Sequence, residues 1–179
     1  MITSKKKFGL LAAGLYAILV FPIQNSHFYT VDTQLTFWMM ATVTSLVAFL
    51  KKDKVRYLLI ASVTTAAAIS TKIPGIFLLS PVGLTFLYYL FATKSSKQSS
   101  SMHKIIVLLF FVLLLITCTF LFQPYVFLNW DVFMEDIAVQ TKMRTDALVF
   151  PYTIQYVGTT AYWYPIKQIA LWGMGIVPT

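Results

Sequence analysis

The stretch IIVLLFFVLLLITCTFLF, residues 105–122, contains no charged side chain and decides the fold class. An apolar run of this length can cross the hydrocarbon core of a bilayer, which is roughly 30 Å thick. The composition agrees, because 58% of all residues are hydrophobic and only 11% are charged. We therefore predict an all-α fold, a polytopic transmembrane helix bundle.

Four further apolar runs precede this stretch, and each one ends at a charged or proline-containing break. They cover residues 8–23, 33–50, 57–71 and 76–92. The first run follows a basic start but lacks a small-residue cleavage site, so we interpret it as a membrane helix rather than a signal peptide. We expect five spans within residues 1–123 and the start of a truncated sixth within residues 166–179.

Two of these runs carry local packing signals. In the third run Ser62, Ala66 and Ser70 recur at four-residue spacing, which favours close helix packing and predicts a helix inside the bundle. The fourth run contains Pro81 and Gly83, which predict a kink. The polar stretch that follows it, residues 94–101, is predicted to be a flexible linker.

The basic residues predict the topology. The formal net charge of +8 does not indicate nucleic-acid binding, because lysine and arginine lie in short loops between apolar runs. With the N-terminus in the cytoplasm, most of them fall on the cytoplasmic side: Lys5, Lys6, Lys7, Lys51, Lys52, Lys54, Arg56, Lys94, Lys97 and Lys104. The loops at 24–32 and 72–75 are then extracytoplasmic, and we expect a bacterial cytoplasmic membrane.

Residues 124–165 differ from the apolar runs, because aromatic and polar residues alternate there as they do at membrane interfaces. Apolar positions between Trp130 and Met143 form an approximate helical stripe opposite acidic residues. This pattern predicts an interfacial amphipathic helix. Cys118 is the only cysteine and lies inside an apolar run, which excludes a disulfide framework and a thiolate metal cluster.

The candidate chemistry lies in the polar segment NSHFYTVDT, residues 25–33. Asp32 stands at the mouth of the second span, where an acid can simply cap the helix and complement its dipole. A carboxylate at the same place can also accept a hydroxyl proton or orient a polar substrate. The sequence leaves both roles open, and capping does not exclude catalysis.

His27 and Lys72 are the other two titratable candidates. His27 precedes Asp32 by five residues, so a tight turn could bring the two together, although His27 could equally be a solvated loop residue. Lys72 lies on the outer side against the charge bias, next to the Pro74-Gly75 break. It could complement a helix C-terminus or pair with a lipid-linked phosphate.

Three features together resemble a known family. They are the segment Ser26–Thr33 leading into a membrane helix, the Ala-rich helix that ends at residues 70–75 (STKIPG), and the aromatic tail with Gln123-Pro124-Tyr125 and Gln155-Tyr156. The chain resembles polytopic glycosyltransferases of the family C fold. The similar branch contains dolichyl-phosphate-mannose protein mannosyltransferases and bacterial lipid A aminoarabinose transferases.

The resemblance implies transfer of a sugar from a polyprenyl-phosphate carrier to a protein, lipid or glycan acceptor at the outer face of the membrane. By position it implies that Asp32 and His27 are catalytic and that Tyr29 and Lys72 bind substrate. No cofactor is implied by these residues, and the need for a divalent metal stays open.

The family places its principal catalytic acid in an earlier external loop, so the resemblance predicts a partial chain in which Asp32 assists an acid located upstream, and a fragment that is inactive by itself. Two other classes are weighed beside the transferase. A transporter or lipid flippase predicts ionisable residues near the bilayer midplane and repeated halves. A non-catalytic membrane subunit predicts that Asp32 merely caps a helix.

Overall fold

The computed structural model describes residues 6–28, 30–91, 101–148 and 150–173, and every regular element within them is helical. This confirms the predicted all-α membrane bundle. The α-helices are α1 (Lys6–Ile18), α2 (Val20–His27), α3 (Val31–Lys52), α4 (Arg56–Thr71), α5 (Leu79–Phe91), α6 (Ser101–Phe122), α7 (Tyr125–Leu128), α8 (Trp130–Thr145) and α9 (Trp163–Gln168). Two 3-10 helices, Ile73–Leu78 and Pro151–Tyr156, and one π-helix, Ile169–Gly173, complete the described elements.

Of the helices that the structure describes, fewer have the length and hydropathy of a membrane span than the five spans predicted. Within the described residues, three helical stretches are long and apolar enough to cross a membrane, namely Val31–Lys52, Ile73–Phe91 and Met102–Phe122. Helices α1 and α2 together would form a fourth, but they are bent by 61° at Leu19. Helix α4 has 16 residues, and at 1.5 Å per residue it is shorter than the roughly 30 Å hydrocarbon core.

Helices α3 and α4 form an antiparallel pair because the chain reverses at Asp53. This residue adopts a left-handed conformation (φ 49°, ψ 42°), and its N–H donates to the Phe49 carbonyl at 2.8 Å, which closes α3. Helix α5 then runs alongside in the direction of α3, and α6 in the direction of α4. The bundle therefore has two ends, one at the start of α3 and one at its end.

The larger part of the core lies toward the end of α3. It combines side chains of four helices: Leu46, Phe49, Leu58, Ala61, Val82, Phe86, Tyr89, Val107 and Phe111. A smaller cluster, Leu35 with Ala68 and Leu78, lies toward the start of α3. We call the end of the bundle near the larger cluster the basic end, because Lys51, Lys52, Lys54 and Arg56 lie there. We call the opposite end the Asp32 end.

Hydroxyl groups join the helices inside the bundle. The Thr42 hydroxyl donates to Thr64 Oγ1 at 2.9 Å between α3 and α4, and the Ser62 hydroxyl donates to the Phe111 carbonyl at 2.9 Å between α4 and α6. Ser62 and Ala66 are fully buried, so the small-residue face of α4 is an interhelical surface, as predicted.

Two local predictions differ from the structure. Helix α2 continues through His27, so the loop predicted at 24–32 is much shorter. Residues 73–75 begin a 3-10 helix, and the departure from α-geometry lies there rather than at Pro81 or Gly83. The predicted linker at 94–101 lies outside the described residues, apart from Ser101, which begins α6.

The sequence counted Lys104 only among the cytoplasmic basic residues that indicate topology, and the structure also gives it a packing role. Its side chain is buried, and its ammonium donates to the carbonyls of Tyr89 and Leu90 at the end of α5. A cation at a helix C-terminus satisfies carbonyls that lack an intrahelical partner. Lys104 therefore joins α6 to α5 at the basic end.

The segment after α6 matches its prediction only in outline. Helix α8 forms as expected, with Phe133 and Ile137 partly buried, but Val132 and Met134 are exposed beside Asp131. Its apolar and acidic residues are therefore not cleanly separated. The expected further helix begins at Trp163 as α9 and passes into the π-helix, which lies against α2; residues 174–179 lie outside the described part.

Candidate functional site

The carboxylate of Asp32 and the ammonium of Lys72 meet at the Asp32 end of the bundle. Lys72 Nζ lies 2.7 Å from Asp32 Oδ1, the distance of a charge-assisted hydrogen bond. About half of each side chain remains accessible, 42% for Lys72 and 47% for Asp32. The pair is thus formed and still open to a ligand.

Asp32 is placed by the start of α3. Thr30 is the N-cap residue, in an extended conformation, and both its N–H and its hydroxyl donate to the Asn25 carbonyl at 3.1 and 3.2 Å. These bonds tie the chain back to α2 across a short reversal. Asp32 then falls in the first turn of α3, where the positive end of the helix dipole favours a carboxylate.

The sequence left side-chain capping by Asp32 or Thr30 open, and neither forms it. No side chain of the described residues makes a capping hydrogen bond at the α3 N-terminus. The Asp32 carboxylate instead points to Lys72, while the Asp32 main-chain carbonyl accepts a hydrogen bond from the Thr36 hydroxyl at 2.8 Å. The simple capping role is therefore not what holds this carboxylate.

Lys72 is placed by the end of α4. Its backbone is extended (φ −161°, ψ 140°), and its N–H donates to the Ala68 carbonyl at 3.2 Å. Pro74 at the start of the following 3-10 helix disfavours further α-helix at the preceding residue. The helix therefore ends where the lysine side chain can turn toward the start of α3.

Gly75 holds this turn close to the body of α4. Its N–H donates to the Lys72 carbonyl at 2.8 Å, and a Cβ added at Gly75 would overlap the Ala68 carbonyl group. Only glycine permits this approach without a shift of backbone. The sequence marked Pro74-Gly75 as a break, but the close contact with Ala68 is visible only in the folded chain.

The charges of Asp32 and Lys72 are also favoured by the dipoles of the helix ends at which they lie. Asp32 is negative at the positive end of α3, and Lys72 is positive next to the negative end of α4. Because the helices are antiparallel, these two ends are neighbours. The pair therefore arises from the packing of α3 on α4 rather than from local sequence.

The other two predicted site residues are not joined to this pair. His27 ends α2 and is exposed, and its ring makes an edge-to-face contact with Phe28 at 5.6 Å between centroids. Within the described residues it makes no hydrogen bond to Asp32. Tyr29 lies outside the described residues.

Ser70 lies near Lys72 in the chain, and the sequence analysis considered it for helix packing and as part of the family-like segment at residues 70–75, without a role in the site. Its hydroxyl oxygen is buried and has no hydrogen-bond partner among the described residues. It lies in the last turn of α4, two residues before Lys72. Among the described residues, no group of three histidine, cysteine, aspartate or glutamate side chains could hold a metal ion.

The comparison with known proteins adds a family to this geometry. Residues 1–133 match the family of dolichyl-phosphate-mannose-protein mannosyltransferases, and the match includes both Asp32 and Lys72. No curated protein and no solved structure matches the chain. Because the match covers most of its length and confirms the resemblance, the chain belongs to the dolichyl-phosphate-mannose-protein mannosyltransferase family, a family of membrane glycosyltransferases.

Proposed function

We propose that this chain takes part in transferring a sugar from a polyprenyl-phosphate carrier to an acceptor hydroxyl at the extracytoplasmic face, with Asp32 and Lys72 at the reacting groups. The observation that carries the proposal is the accessible ion pair between them. An anion and a cation held side by side at the mouth of a membrane bundle fit both a hydroxyl nucleophile and a phosphate leaving group.

Each partner has a defined task in this reaction. The acceptor oxygen forms a bond to the anomeric carbon, and the bond from that carbon to the phosphate oxygen breaks with its electron pair on the phosphate. Lys72 stabilises the charge of the departing polyprenyl phosphate. Asp32 accepts a hydrogen bond from the acceptor hydroxyl and helps to remove its proton.

The ion pair also gives the site an order of events. When no donor is bound, the Lys72 ammonium occupies an oxygen of the Asp32 carboxylate. A phosphate that binds Lys72 competes for the ammonium and frees that oxygen to accept a hydrogen bond from the acceptor hydroxyl. Donor binding thus prepares Asp32 for the acceptor.

The test uses the full product of the reading frame, reconstituted in lipid nanodiscs with a radiolabelled polyprenyl-phosphate sugar. Asp32→Asn keeps the shape of the side chain and removes its charge. We expect turnover to fall about 10²- to 10⁴-fold, the usual contribution of a positioned acid or base, with donor binding retained. Lys72→Met is expected to weaken donor binding as well, because it removes the phosphate partner.

A non-catalytic subunit gives the opposite result. If the pair only holds α3 against α4, Asp32→Asn leaves turnover unchanged in a folded protein, while Asp32→Ala lowers stability. Equal turnover of the Asn variant and the unmodified protein would therefore refute the proposal. Lys142→Gln, on α8, serves as a charge-matched control for Lys72.

A further inference from the structure

A cluster of three polar side chains lies at the basic end, on the opposite side of the bundle from the ion pair. Lys52 Nζ donates to the Tyr57 hydroxyl oxygen at 3.1 Å, and Arg56 Nη2 donates to the same oxygen at 3.2 Å. Both cations also lie over the Tyr57 ring, at 5.3 and 5.0 Å from its centroid. Two positive charges therefore converge on one neutral oxygen.

The fold holds these side chains in place. Lys52 is the last residue of α3 and Arg56 is the first of α4, and the left-handed turn at Asp53 brings them face to face. The Tyr57 ring packs against the core cluster that contains Phe49 and Leu58. The ring is anchored, and its hydroxyl reaches the rim of the bundle.

We propose that Lys52, Arg56 and Tyr57 bind the phosphate of an anionic phospholipid headgroup. Two cations this close repel each other, and a phosphate between them converts the repulsion into two charge-assisted hydrogen bonds. The Tyr57 hydroxyl accepts from both cations and keeps its own proton for donation to a phosphate oxygen. Arginine adds a planar fork that matches two phosphate oxygens.

A lipid fits this site better than a free phosphate because of what surrounds it. Leu50 precedes Lys52 by two residues and Ile60 follows Arg56 by one turn, and both side chains are about half exposed. They offer exposed apolar surface within about one helical turn of the charged residues, as an acyl chain below a headgroup requires. Basic residues beside membrane helices attract anionic lipids in this way.

Two further charged residues lie in the turn beside this cluster. Lys54 is exposed in the same turn, and Asp53 is an exposed acid between Lys52 and Lys54. The Tyr57 N–H donates to the Lys54 main-chain carbonyl at 3.0 Å, but among the described residues the Lys54 side chain makes no hydrogen bond to the Tyr57 hydroxyl. If the turn attracts anions only through its overall positive charge, binding depends on Lys54 as much as on Lys52. If the three side chains form a specific site, binding depends on Lys52, Arg56 and Tyr57.

The experiment measures lipid retention by native mass spectrometry on the full chain released from detergent micelles. Phosphatidylglycerol and phosphatidylcholine are titrated separately, and inorganic phosphate is tested as a competitor. We expect phosphatidylglycerol to bind the unmodified protein well above phosphatidylcholine. Lys52→Gln and Arg56→Gln should each weaken its binding about fivefold, and Tyr57→Phe should weaken it measurably.

Lys54→Gln is the matched control, since it removes one charge from the same turn outside the cluster, and it should leave lipid binding unchanged. Tyr57→Phe removes a single oxygen and keeps the ring in the core, so it tests the site without unfolding the helix pair. The proposal is overturned if Lys54→Gln weakens binding as much as Lys52→Gln, or if Tyr57→Phe has no effect. Displacement by millimolar inorganic phosphate would also overturn it, by assigning the cluster to a free anion.

Discussion

Asp32 and Lys72 are separated by 40 residues of sequence, and their charged groups lie 2.7 Å apart. The pair joins the first turn of α3 to the end of α4. Neither charge is enclosed, so water screens their attraction. A pair of this kind contributes little to stability and can exchange its partner for a ligand.

The first prediction concerns the energy of this pair. A double-mutant cycle with Asp32→Asn and Lys72→Met should give a coupling energy in the free energy of unfolding of at most about 1 kcal/mol, the range for exposed ion pairs. The measurement is a denaturation titration in bicelles with sodium dodecyl sulfate. A coupling well above that range would mark the pair as structural and weaken its assignment to catalysis.

The second prediction concerns the glycine that holds the Lys72 turn. Gly75→Ala places a methyl group against the Ala68 carbonyl, so the turn must shift. We expect a loss of about 1–3 kcal/mol in the free energy of unfolding, as for other overpacked sites, together with reduced transferase turnover. The control is Gly83→Ala.

Gly83 lies in α5, and an added Cβ there meets no atom within 4 Å. Alanine is favoured over glycine in a helix by roughly 0.5–1 kcal/mol, so this variant should be neutral or slightly more stable. If both glycine variants lose stability equally, the contact between residue 75 and Ala68 is not the cause.

The third prediction concerns the contact between α4 and α6. Ser62 is fully buried and its hydroxyl bonds to the Phe111 carbonyl. Ser62→Ala removes the hydrogen bond and should cost about 0.6 kcal/mol, the average for such bonds in membranes. Ser62→Leu forces a large side chain between the helices and should cost about 1–3 kcal/mol. Thermal unfolding of the two variants in the same detergent gives the comparison, and a smaller loss for leucine would contradict the close packing.

The fourth prediction concerns the buried lysine at the basic end. Lys104→Met removes the ammonium that donates to the carbonyls of Tyr89 and Leu90. Because hydrogen bonds to a charged group are worth roughly 1.5–3 kcal/mol, we expect a stability loss in that range. Lys54→Met, at an exposed position, is the control and should change stability by less than about 0.5 kcal/mol. A neutral result for Lys104→Met would mean that its charge serves topology alone.

Hydropathy and residue pattern were sufficient for several features. The fold class, the burial of the small-residue face of α4, and the family likeness of residues 26–33 and 70–75 could all be read locally. Such features depend on which residue types lie next to one another along one helix. They are therefore visible in the order of the amino acids.

Helix boundaries near breaks were less predictable. The apolar run at 8–23 was expected to be one helix, but it divides at Leu19 and its second half continues to His27. Hydropathy reports how apolar a segment is, and it carries no information on a bend between two apolar turns. The same limit explains why five apolar runs were predicted as spans, whereas three of the described helices have the length and hydropathy of a span, or four if α1 and α2 count as one.

The sequence by itself determined that this protein is a helical membrane protein. It also showed that Asp32 and Lys72 each lie beside a break between helices. Only the tertiary structure decided that Asp32 meets Lys72, that Lys104 is buried against α5, and that Lys52 and Arg56 converge on Tyr57. The physical reason is that each of these contacts depends on how antiparallel helices pack and on the register between them. Those quantities arise from side-chain packing between helices, which no single stretch of the chain encodes.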